Sequence, residues 1–299
     1  MERTTEIAIV SGKGGTGKTL FASSIARLAG NAVVADCDVY APSLYLLAAD
    51  VMIDWGPLAG DTIAVIDGEL CSRCGKCAGA CRFAAIRERE SPGGWSYSVI
   101  RPSCEGCGAC LEVCPDQAIR LEELRRGTWC VSNSPLGPLV HAMPETAPRR
   151  GGEIVRTLRR EARKTAARLG LHHIVIDGPA GIGSTAIASV IGVSLAVVIA
   201  EPTISGLADL RRAIDLLGRL NIRMAAVINK SDLNSQIASG ITGYLNGMGV
   251  EILGSIAHSD QVSRADTLGE FAVDLQGVPA AEEIKAAVGR TIALAGAVT

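Results

Sequence analysis

The sequence is organised around residues 7–19, which read IAIVSGKGGTGKT. The first four residues are apolar, as in a buried strand, and residues 19–29 have the pattern of a helix. Between them lies G-x-x-x-x-G-K-T, whose glycines let backbone N–H groups surround phosphate oxygens at a helix N-terminus. We therefore predict a P-loop in which Lys18 reaches the outer phosphates and the Thr19 hydroxyl binds Mg2+. Its cofactor-binding residues are Gly12, Gly14, Gly15, Thr16, Gly17, Lys18 and Thr19.

Other apolar runs alternate with helical stretches along the chain, at residues 32–36, 173–178, 195–202, 223–230 and 250–256. This alternation predicts an α/β fold with a doubly wound, mostly parallel sheet. The alternation stops between the runs at residues 32–36 and 173–178, where Cys, Gly and Pro become frequent. We therefore expect a discontinuous P-loop domain, a small inserted α+β domain, and a connection that leads back. Their predicted boundaries are 1–60 and 148–299 for the P-loop domain, 61–126 for the insertion and 127–147 for the connection.

The composition restricts the class of protein and its partners. The chain has 299 residues, of which 48% are hydrophobic but only 3% aromatic, so the core must consist of aliphatic side chains. With 29 basic and 31 acidic side chains, it has no electrostatic signature of nucleic-acid binding or of stable association with an anionic membrane. Its N-terminus lacks the order of segments of a signal peptide, and we expect a cytoplasmic protein.

Eight of the ten cysteines fall in two runs of the form C-x2-C-x2-C-x3-C. The second run repeats the first at an offset of 33 residues, from Cys71 to Cys104, and a duplicated unit explains this best. Such spacing is typical of 4Fe-4S ligation, in which the fourth cysteine of each run ligates the other cluster. We therefore predict two clusters, one held by Cys71, Cys74, Cys77 and Cys114, and the other by Cys104, Cys107, Cys110 and Cys81.

A structural zinc site is the alternative for these cysteines. Zinc usually takes four ligands from two separated C-x-x-C pairs, which would leave the third cysteine of each triple unexplained. The two remaining cysteines, Cys37 and Cys130, have no ligand spacing, and we expect both to be buried as small apolar residues.

The pattern K-G-G-x-G-K-T, with a second lysine at Lys13, resembles the deviant Walker A motif of the MinD, ParA and nitrogenase iron-protein superfamily. The resemblance implies that Lys13 reaches the nucleotide of a second subunit. It also extends to Asp36 and Asp38, which resemble the first switch of the Mrp-type branch, and to Asp177, which resembles the Walker B aspartate. It assigns Asp36 to the Mg2+ shell and Asp38 to orienting the attacking water. The predicted catalytic residues are Lys13, Lys18, Asp36, Asp38 and Asp177.

Recognition of the base has two readings. Asn229, Lys230 and Asp232 spell N-K-x-D, which reads guanine in GTPases, whereas the superfamily resembled here places a related asparagine on adenine. We expect ATP and ADP to be the ligands, with Asn229 and Asp232 near the base. One departure is Ala257, which stands where the family often has a proline that lines the base.

The whole chain resembles MinD-superfamily P-loop ATPases with an inserted two-cluster ferredoxin domain. The resemblance implies a nitrogenase iron-protein-like fold and Mg2+-dependent ATP hydrolysis that is slow without a partner. It also implies a nucleotide-dependent homodimer, or a heterodimer with a related ATPase, and a redox partner protein that receives electrons through the clusters. The alternative is an ATP-dependent carrier that assembles iron-sulfur or other metal clusters. Residues 149–155, RRGGEIV, depart from the N-S-G that such proteins tend to show.

Overall fold

A computed structural model describes residues 4–47, 51–58, 62–91, 94–123, 127–145 and 151–297. The chain divides into two compact units. The larger unit consists of Met1–Gly56, Thr128–Met143 and Arg150–Thr299, and the smaller unit consists of Pro57–Gly127 and Pro144–Arg149.

The strands and helices are numbered in chain order. The strands are β1 (Thr5–Ser11), β2 (Ala32–Asp36), β3 (Met52–Pro57), β4 (Thr62–Ile66), β5 (Ile86–Ser91), β6 (Gly94–Val99), β7 (Ile119–Glu123), β8 (Gly127–Ser132), β9 (Leu139–Pro144), β10 (His173–Ala180), β11 (Leu195–Ala200), β12 (Met224–Asn229) and β13 (Glu251–Ile256). The helices are α1 (Lys18–Ala29), α2 (Lys76–Ala80), α3 (Ala109–Glu112), α4 (Gly151–Leu169), α5 (Ser184–Val190), α6 (Ile204–Arg219), α7 (Ser235–Gly247), α8 (Asp260–Thr267) and α9 (Pro279–Gly296).

The larger unit is built on a sheet that has nine strands within the described ranges. Their order is β13-β12-β11-β1-β10-β2-β9-β8-β3. The seven strands from β13 to β9 pair in parallel, and the chain crosses from β1 outward to both sides of the sheet. This arrangement confirms the predicted doubly wound, mostly parallel α/β fold.

Two parts of this sheet differ from the expectation. Residues 127–147 were expected to form a connection, but they contribute β8 and β9, and β9 pairs in parallel with β2. The strand β3 lies at the edge of the sheet and was not expected at all. Neither β8 (GTWCVS) nor β9 (LVHAMP) contains three consecutive aliphatic residues, and the turn sequence NSPLG lies between them, so neither stands out from its surroundings.

Aliphatic side chains fill the core of the larger unit, as the composition predicts. The central strands β1 and β11 are almost wholly buried, and Phe21 of α1 is the one large aromatic side chain that is fully buried among the described residues. Helix α9 packs on this core through Ala281, Ile284, Ala287 and Val288. No helix in the described ranges is both long enough and apolar enough to cross a membrane. Cys37 and Cys130 are buried, as expected.

The smaller unit shows the duplication in its backbone. The antiparallel pairs are β4 with β7 and β5 with β6, so each pair joins the first strand of one half to the last strand of the other. The left-handed conformation also repeats at an offset of 33 residues: Gly75 and Gly108 have φ of 73° and 79°, and Ala84 and Gln117 have φ of 48° and 51°. The two halves are therefore interlocked by exchanged strands.

Candidate functional site

The P-loop lies between the end of β1 and the start of α1, as predicted. Gly17 precedes α1 with φ of 94°, a conformation that favours glycine. The side-chain amide of Asn229, at the end of β12, donates a hydrogen bond of 2.8 Å to the Thr16 carbonyl. A Cβ atom at Gly17 would collide with that amide, so the glycine allows β12 to hold the loop.

The predicted acidic residues meet at the carboxyl ends of β2 and β10. Asp36 and Asp177 are register partners on these adjacent parallel strands. Thr19 Oγ1 donates a hydrogen bond of 2.6 Å to Asp177 Oδ2. The structure therefore brings the Thr19 hydroxyl and the Asp177 carboxylate together. The charge of Lys18 also acts on Asp177.

Burial controls the protonation of these carboxylates. It raises the pKa of Asp36 to about 8, with a further contribution from the charge of Asp177. It raises the pKa of Asp177 to about 7, although Thr19 and Lys18 act in the opposite direction. The pKa of the half-buried Asp38 is raised by desolvation and opposed by Lys18. A bound cation would stabilise the ionised forms of these two buried carboxylates and lower their pKa values.

The side chains at this point fit a bound Mg2+. Asp177 is 1% exposed, and among the described residues its Oδ1 finds no hydrogen-bond partner. A buried carboxylate oxygen without a partner is costly, and hard oxygen atoms are the ligands that Mg2+ prefers. Asp36 is arranged differently, because its two oxygens accept backbone N–H groups of Asp38, Ser43 and Leu44 at 3.1–3.2 Å. Asp36 therefore also fixes the loop that follows β2.

A cleft of about 860 Å3 opens beside the P-loop within the larger unit. Asn229, Ala257 and His258 line it at the ends of β12 and β13, together with Asp38. Asp232 does not line it, and its Oδ1 accepts a 2.6 Å hydrogen bond from the His258 backbone. Of the two residues predicted near the base, the structure thus places Asn229 in the cleft and Asp232 in the loop behind it.

Lys13 pairs with a residue that sequence reasoning missed. Its ammonium group lies 2.5 Å from Glu201 Oε2, and the second oxygen of Glu201 lies 2.9 Å from Lys230 Nζ. Glu201 follows β11 at the carboxyl end of a parallel strand, where ligand sites of such sheets are found. That position is the signal that could have identified it from the sequence.

Residues 151–155 of the departing segment form the start of a helix that packs on its neighbours. Helix α4 begins at Gly151, and a Cβ atom there would lie 2.6 Å from Thr185 Cγ2 and 2.8 Å from the Tyr40 hydroxyl. Tyr40 belongs to the loop after Asp38, and Thr185 belongs to α5, which follows Asp177 along the chain. The start of α4 therefore lies against the loop that carries Asp38 and against α5, and Gly151 and Gly152 allow this approach.

The smaller unit groups the cysteines across its two halves. Cys81 lines one small cavity with Cys104, Cys107 and Cys110. In the other group, burial raises the pKa of Cys77, and the charges of Cys71 and Cys114 raise it further. The fourth cysteine of each run therefore lies beside the other run, as the crossed ligand sets would require.

The cysteine surroundings suit a cluster better than a single ion. The backbone N–H groups of Ala64, Ala85 and Ala118 donate to the sulfur atoms of Cys104, Cys81 and Cys114 at 3.3–3.4 Å, which stabilises thiolate charge. In the described ranges, no three Cys, His, Asp or Glu side chains converge on one metal ion. A tetrahedral zinc ion would require sulfur atoms about 3.8 Å apart, given Zn–S bonds of about 2.3 Å. The arrangement therefore does not fit the zinc alternative.

Comparison with known proteins agrees with both units. Residues 64–121 match the family model of the 4Fe-4S dicluster domain. The chain is similar in structure to the septum site-determining protein MinD complexed with Mg-ADP from Pyrococcus horikoshii OT3, with a TM-score of 0.57, 17% identity and 98% of each chain covered. It is also similar to the MinD cell division protein of Aquifex aeolicus, with a TM-score of 0.55, 16% identity and 97% of each chain covered.

The fold and the cysteine unit together define a class: a protein with the P-loop fold of the MinD/ParA ATPases into which a 4Fe-4S dicluster domain is inserted. Within this class, the uncharacterized protein MJ0578 of Methanocaldococcus jannaschii is 36% identical to the chain over 240 residues, which cover 77% of the chain and 79% of the relative. The chain belongs to the same family as that protein.

Proposed function

We propose that this protein binds and hydrolyses ATP and couples its nucleotide state to electron transfer through two 4Fe-4S clusters to a redox partner protein. The P-loop, the paired carboxylates and the cleft beside them support the first part. The cysteines of the smaller unit support the second, because the fourth cysteine of each run lies beside the other run. When bound, the clusters supply one-electron carriers at low potential.

The residues of the larger unit divide the work of hydrolysis. The P-loop N–H groups and Lys18 hold the phosphates, and Thr19 and Asp177 hold Mg2+ with Asp36 nearby. Asp38, at the edge of the cleft, orients the attacking water. Hydrolysis of this kind depends on positioning and on neutralising charge, which is what a lysine and two carboxylates around one cation provide.

The base that we propose is adenine. A guanine base offers two neighbouring N–H donors and needs a carboxylate that faces the cleft. Asp232 is turned to the His258 backbone instead. Competition between ATP and GTP for the protein, measured with a fluorescent ATP analogue, tests this choice.

We further propose that the active form is a nucleotide-dependent dimer, most simply of two copies of this chain, in which Lys13 reaches the nucleotide of the second copy. Lys13 lies at the rim of the P-loop with its side chain 27% exposed, so it can leave its present contacts without disturbing the core.

One observation carries the coupling of the two units. The chain enters the smaller unit at Pro57, after the loop that holds Asp38 and Tyr40 and after β3, and it re-enters the larger unit at Thr128, in β8. Gly151, the first residue of α4, lies against Tyr40 and against Thr185 of α5. We expect a change in the loop after Asp38 on nucleotide hydrolysis to act both on α4 and on the segment that leads into the smaller unit.

The carrier alternative has less support. A carrier must release its cluster, whereas Cys77, Cys104 and Cys110 are buried in the apolar core of the smaller unit with Ile63 and Ile119. Ligands packed in this way favour a resident cofactor.

The experiment that tests the proposal is an anaerobic redox titration of both clusters, followed by EPR, without nucleotide, with ADP and with a non-hydrolysable ATP analogue. Coupling is reciprocal, so a tenfold effect on nucleotide affinity corresponds to a shift of about 59 mV in a one-electron midpoint. A Lys18→Ala variant, which lacks the phosphate ligand, is the matched control and should show no shift. Identical midpoints in all three nucleotide states of the wild-type protein would contradict energetic coupling.

A further inference from the structure

Glu201 is the shared acceptor of two lysines at the P-loop. Its side chain is 10% exposed, and each of its oxygens lies against one ammonium group, Lys13 at 2.5 Å and Lys230 at 2.9 Å. Lys13 also donates to Thr203 Oγ1 at 3.1 Å, and Lys230 to the Gly15 carbonyl at 3.2 Å. One carboxylate thus ties the P-loop to the ends of β11 and β12.

The surroundings favour the ionised form of Glu201. Burial acts to raise its pKa, but the hydrogen bonds and charges of Lys13 and Lys230 outweigh burial, and the pKa is lowered. The nearest turn of α6 is fixed independently, because Thr203 caps the helix by accepting a hydrogen bond of 2.9 Å from Gly206. Asp209, further along α6, is engaged by Arg212. Glu201 is therefore the carboxylate that neutralises these two lysines.

These contacts hold Lys13 against its own chain. Its ammonium group has one carboxylate and one hydroxyl partner, both from the segment between β11 and α6. For Lys13 to reach outward, the ion pair with Glu201 must break, and another anion must replace it if the lysine is to remain neutralised. A single carboxylate is a weaker partner for the Lys13 ammonium group than a terminal phosphate is, because the phosphate carries more charge and more acceptor oxygens.

We propose that Glu201 is a positioning residue that retains Lys13 in its own chain until a second copy presents a bound nucleoside triphosphate, and that it thereby sets the protein concentration at which the dimer forms. The inference rests on the proposed function, because it takes the trans role of Lys13 as given. A diphosphate lacks the terminal phosphate and does not compete for Lys13. Release of Lys13 also frees one oxygen of Glu201. We therefore expect the contacts of Lys230 with Glu201 and with the Gly15 carbonyl to change at the same time.

The first test examines the contact itself in the nucleotide-free full-length protein. Reductive methylation with residue-specific mass spectrometry reports how readily each lysine reacts, and Lys285, paired with Glu282, serves as an internal reference. In a Glu201→Gln variant, which keeps the shape but removes the charge, we expect Lys13 to react at least about fivefold faster than in the wild type, because a neutral amide holds the ammonium group less strongly than a carboxylate does. An unchanged rate would overturn the proposal. A Glu251→Gln variant, on the exposed edge strand β13, is the matched control.

The second test measures association by analytical ultracentrifugation with a non-hydrolysable ATP analogue and with ADP. We expect Glu201→Gln to lower the dissociation constant of the ATP-analogue dimer about tenfold and to leave the ADP form monomeric. Equal constants for both proteins would overturn the retention of Lys13 while leaving the dimer in place. Absence of a dimer in both proteins would overturn the nucleotide-dependent dimer itself, and the proposal with it.

A conservative pair separates retention from simple damage to α6. Thr203→Ser keeps both the helix cap and the acceptor for Lys13, whereas Thr203→Val removes both. With Thr203→Ser we expect wild-type lysine reactivity and association. With Thr203→Val we expect faster methylation of Lys13 but not of Lys230, because Lys230 has no contact with Thr203. Equal acceleration of both lysines would indicate general loosening and would count against the proposal.

Discussion

Asp36 and Asp177 are register partners on the adjacent strands β2 and β10, and both side chains are buried. The two side chains are 2% and 1% exposed, and desolvation by burial is the main cause of their raised pKa values, to which the charge of Asp177 adds at Asp36. Thr19 partly compensates by donating to Asp177. Burying two ionised carboxylates costs free energy in the protein alone, and a bound cation would offset that cost. Cation binding therefore explains why these two residues are placed here.

Replacement of Asp177 by asparagine should separate activity from stability. The amide can still accept the Thr19 hydrogen bond, but it cannot neutralise Mg2+, so we expect ATP hydrolysis to fall about 10²-fold. The thermal unfolding midpoint without nucleotide should not fall, because a buried charge beside Asp36 is removed. Phosphate release and calorimetry measure the two effects, with Asp215→Asn on the surface of α6 as the control. Near wild-type hydrolysis by Asp177→Asn would remove Asp177 from the catalytic group.

The crossed grouping of cysteines predicts which variants share a spectrum. Cys81→Ala should lose the same cluster as Cys107→Ala, and Cys114→Ala the same cluster as Cys74→Ala, with iron content falling to about half in each case. Cys130→Ala, outside the smaller unit, should retain both clusters. EPR of the reduced proteins and iron analysis test this. If Cys81→Ala matched Cys74→Ala instead, each run would ligate its own cluster.

The first turn of α4 gives a steric prediction. Gly151→Ala places a methyl group against Thr185 Cγ2 and the Tyr40 hydroxyl, and we expect a loss of about 1–3 kcal/mol in the free energy of unfolding. Thr185→Ser removes the first of these contacts, so the double variant should regain part of the loss. Gly289→Ala is the control, because a Cβ atom in that part of α9 meets nothing within 4 Å. Anaerobic thermal unfolding of the wild type, Gly151→Ala, the double variant and Gly289→Ala measures these effects. A Gly151→Ala protein as stable as the wild type would show that α4 can move away from Thr185 and Tyr40.

His141 predicts a pH dependence of stability in the larger unit. It is buried in β9, its Nε2 lies 3.1 Å from Ser132 Oγ, and burial lowers its pKa from 6.5. Below pH 6.5, His141 becomes protonated in the unfolded chain but stays neutral in the folded chain. The free energy of unfolding that this residue contributes above pH 6.5 is therefore lost as the pH falls. The slope from this residue reaches at most about 1.4 kcal/mol per pH unit.

His141→Gln removes this titration and should flatten the change in unfolding free energy between pH 7.5 and 5.5. Ser132→Ala removes the hydrogen bond but keeps the imidazole, so its slope should remain as steep as that of the wild type. Urea titrations at the two pH values measure the slopes. An equal slope in His141→Gln and wild type would assign the pH dependence to other groups.

Much of the fold could be read from local patterns. The runs at residues 32–36 and 173–178 predicted β2 and β10 nearly to the residue, because three or four consecutive aliphatic residues between turn residues are typical of a buried strand. Strands β3, β8 and β9 were missed for the opposite reason. They lack three consecutive aliphatic residues, they lie towards one edge of the sheet, and turn residues surround them, so their pairing partners rather than their own composition make them strands.

The candidate site divides in the same way. The spacing of the cysteines and the P-loop glycines reveals which residues act together, because one local segment must wrap one ligand. Glu201 has no such motif around it, and its importance comes from Lys13, which is 188 residues away in the chain. The partners of Gly151 in the loops around Tyr40 and Thr185 are equally distant from any local pattern.

The sequence by itself therefore determined the class of fold, the phosphate loop and the two cysteine runs, since each depends on periodicity or spacing within a short segment. Only the tertiary structure decided that Asp36 is the register partner of Asp177, that Asp232 accepts a hydrogen bond from the His258 backbone, that Glu201 holds two lysines and that α4 lies against Tyr40 and Thr185. Those relationships join residues from different strands and helices, and they are fixed by sheet order and close packing, which no short stretch of sequence encodes.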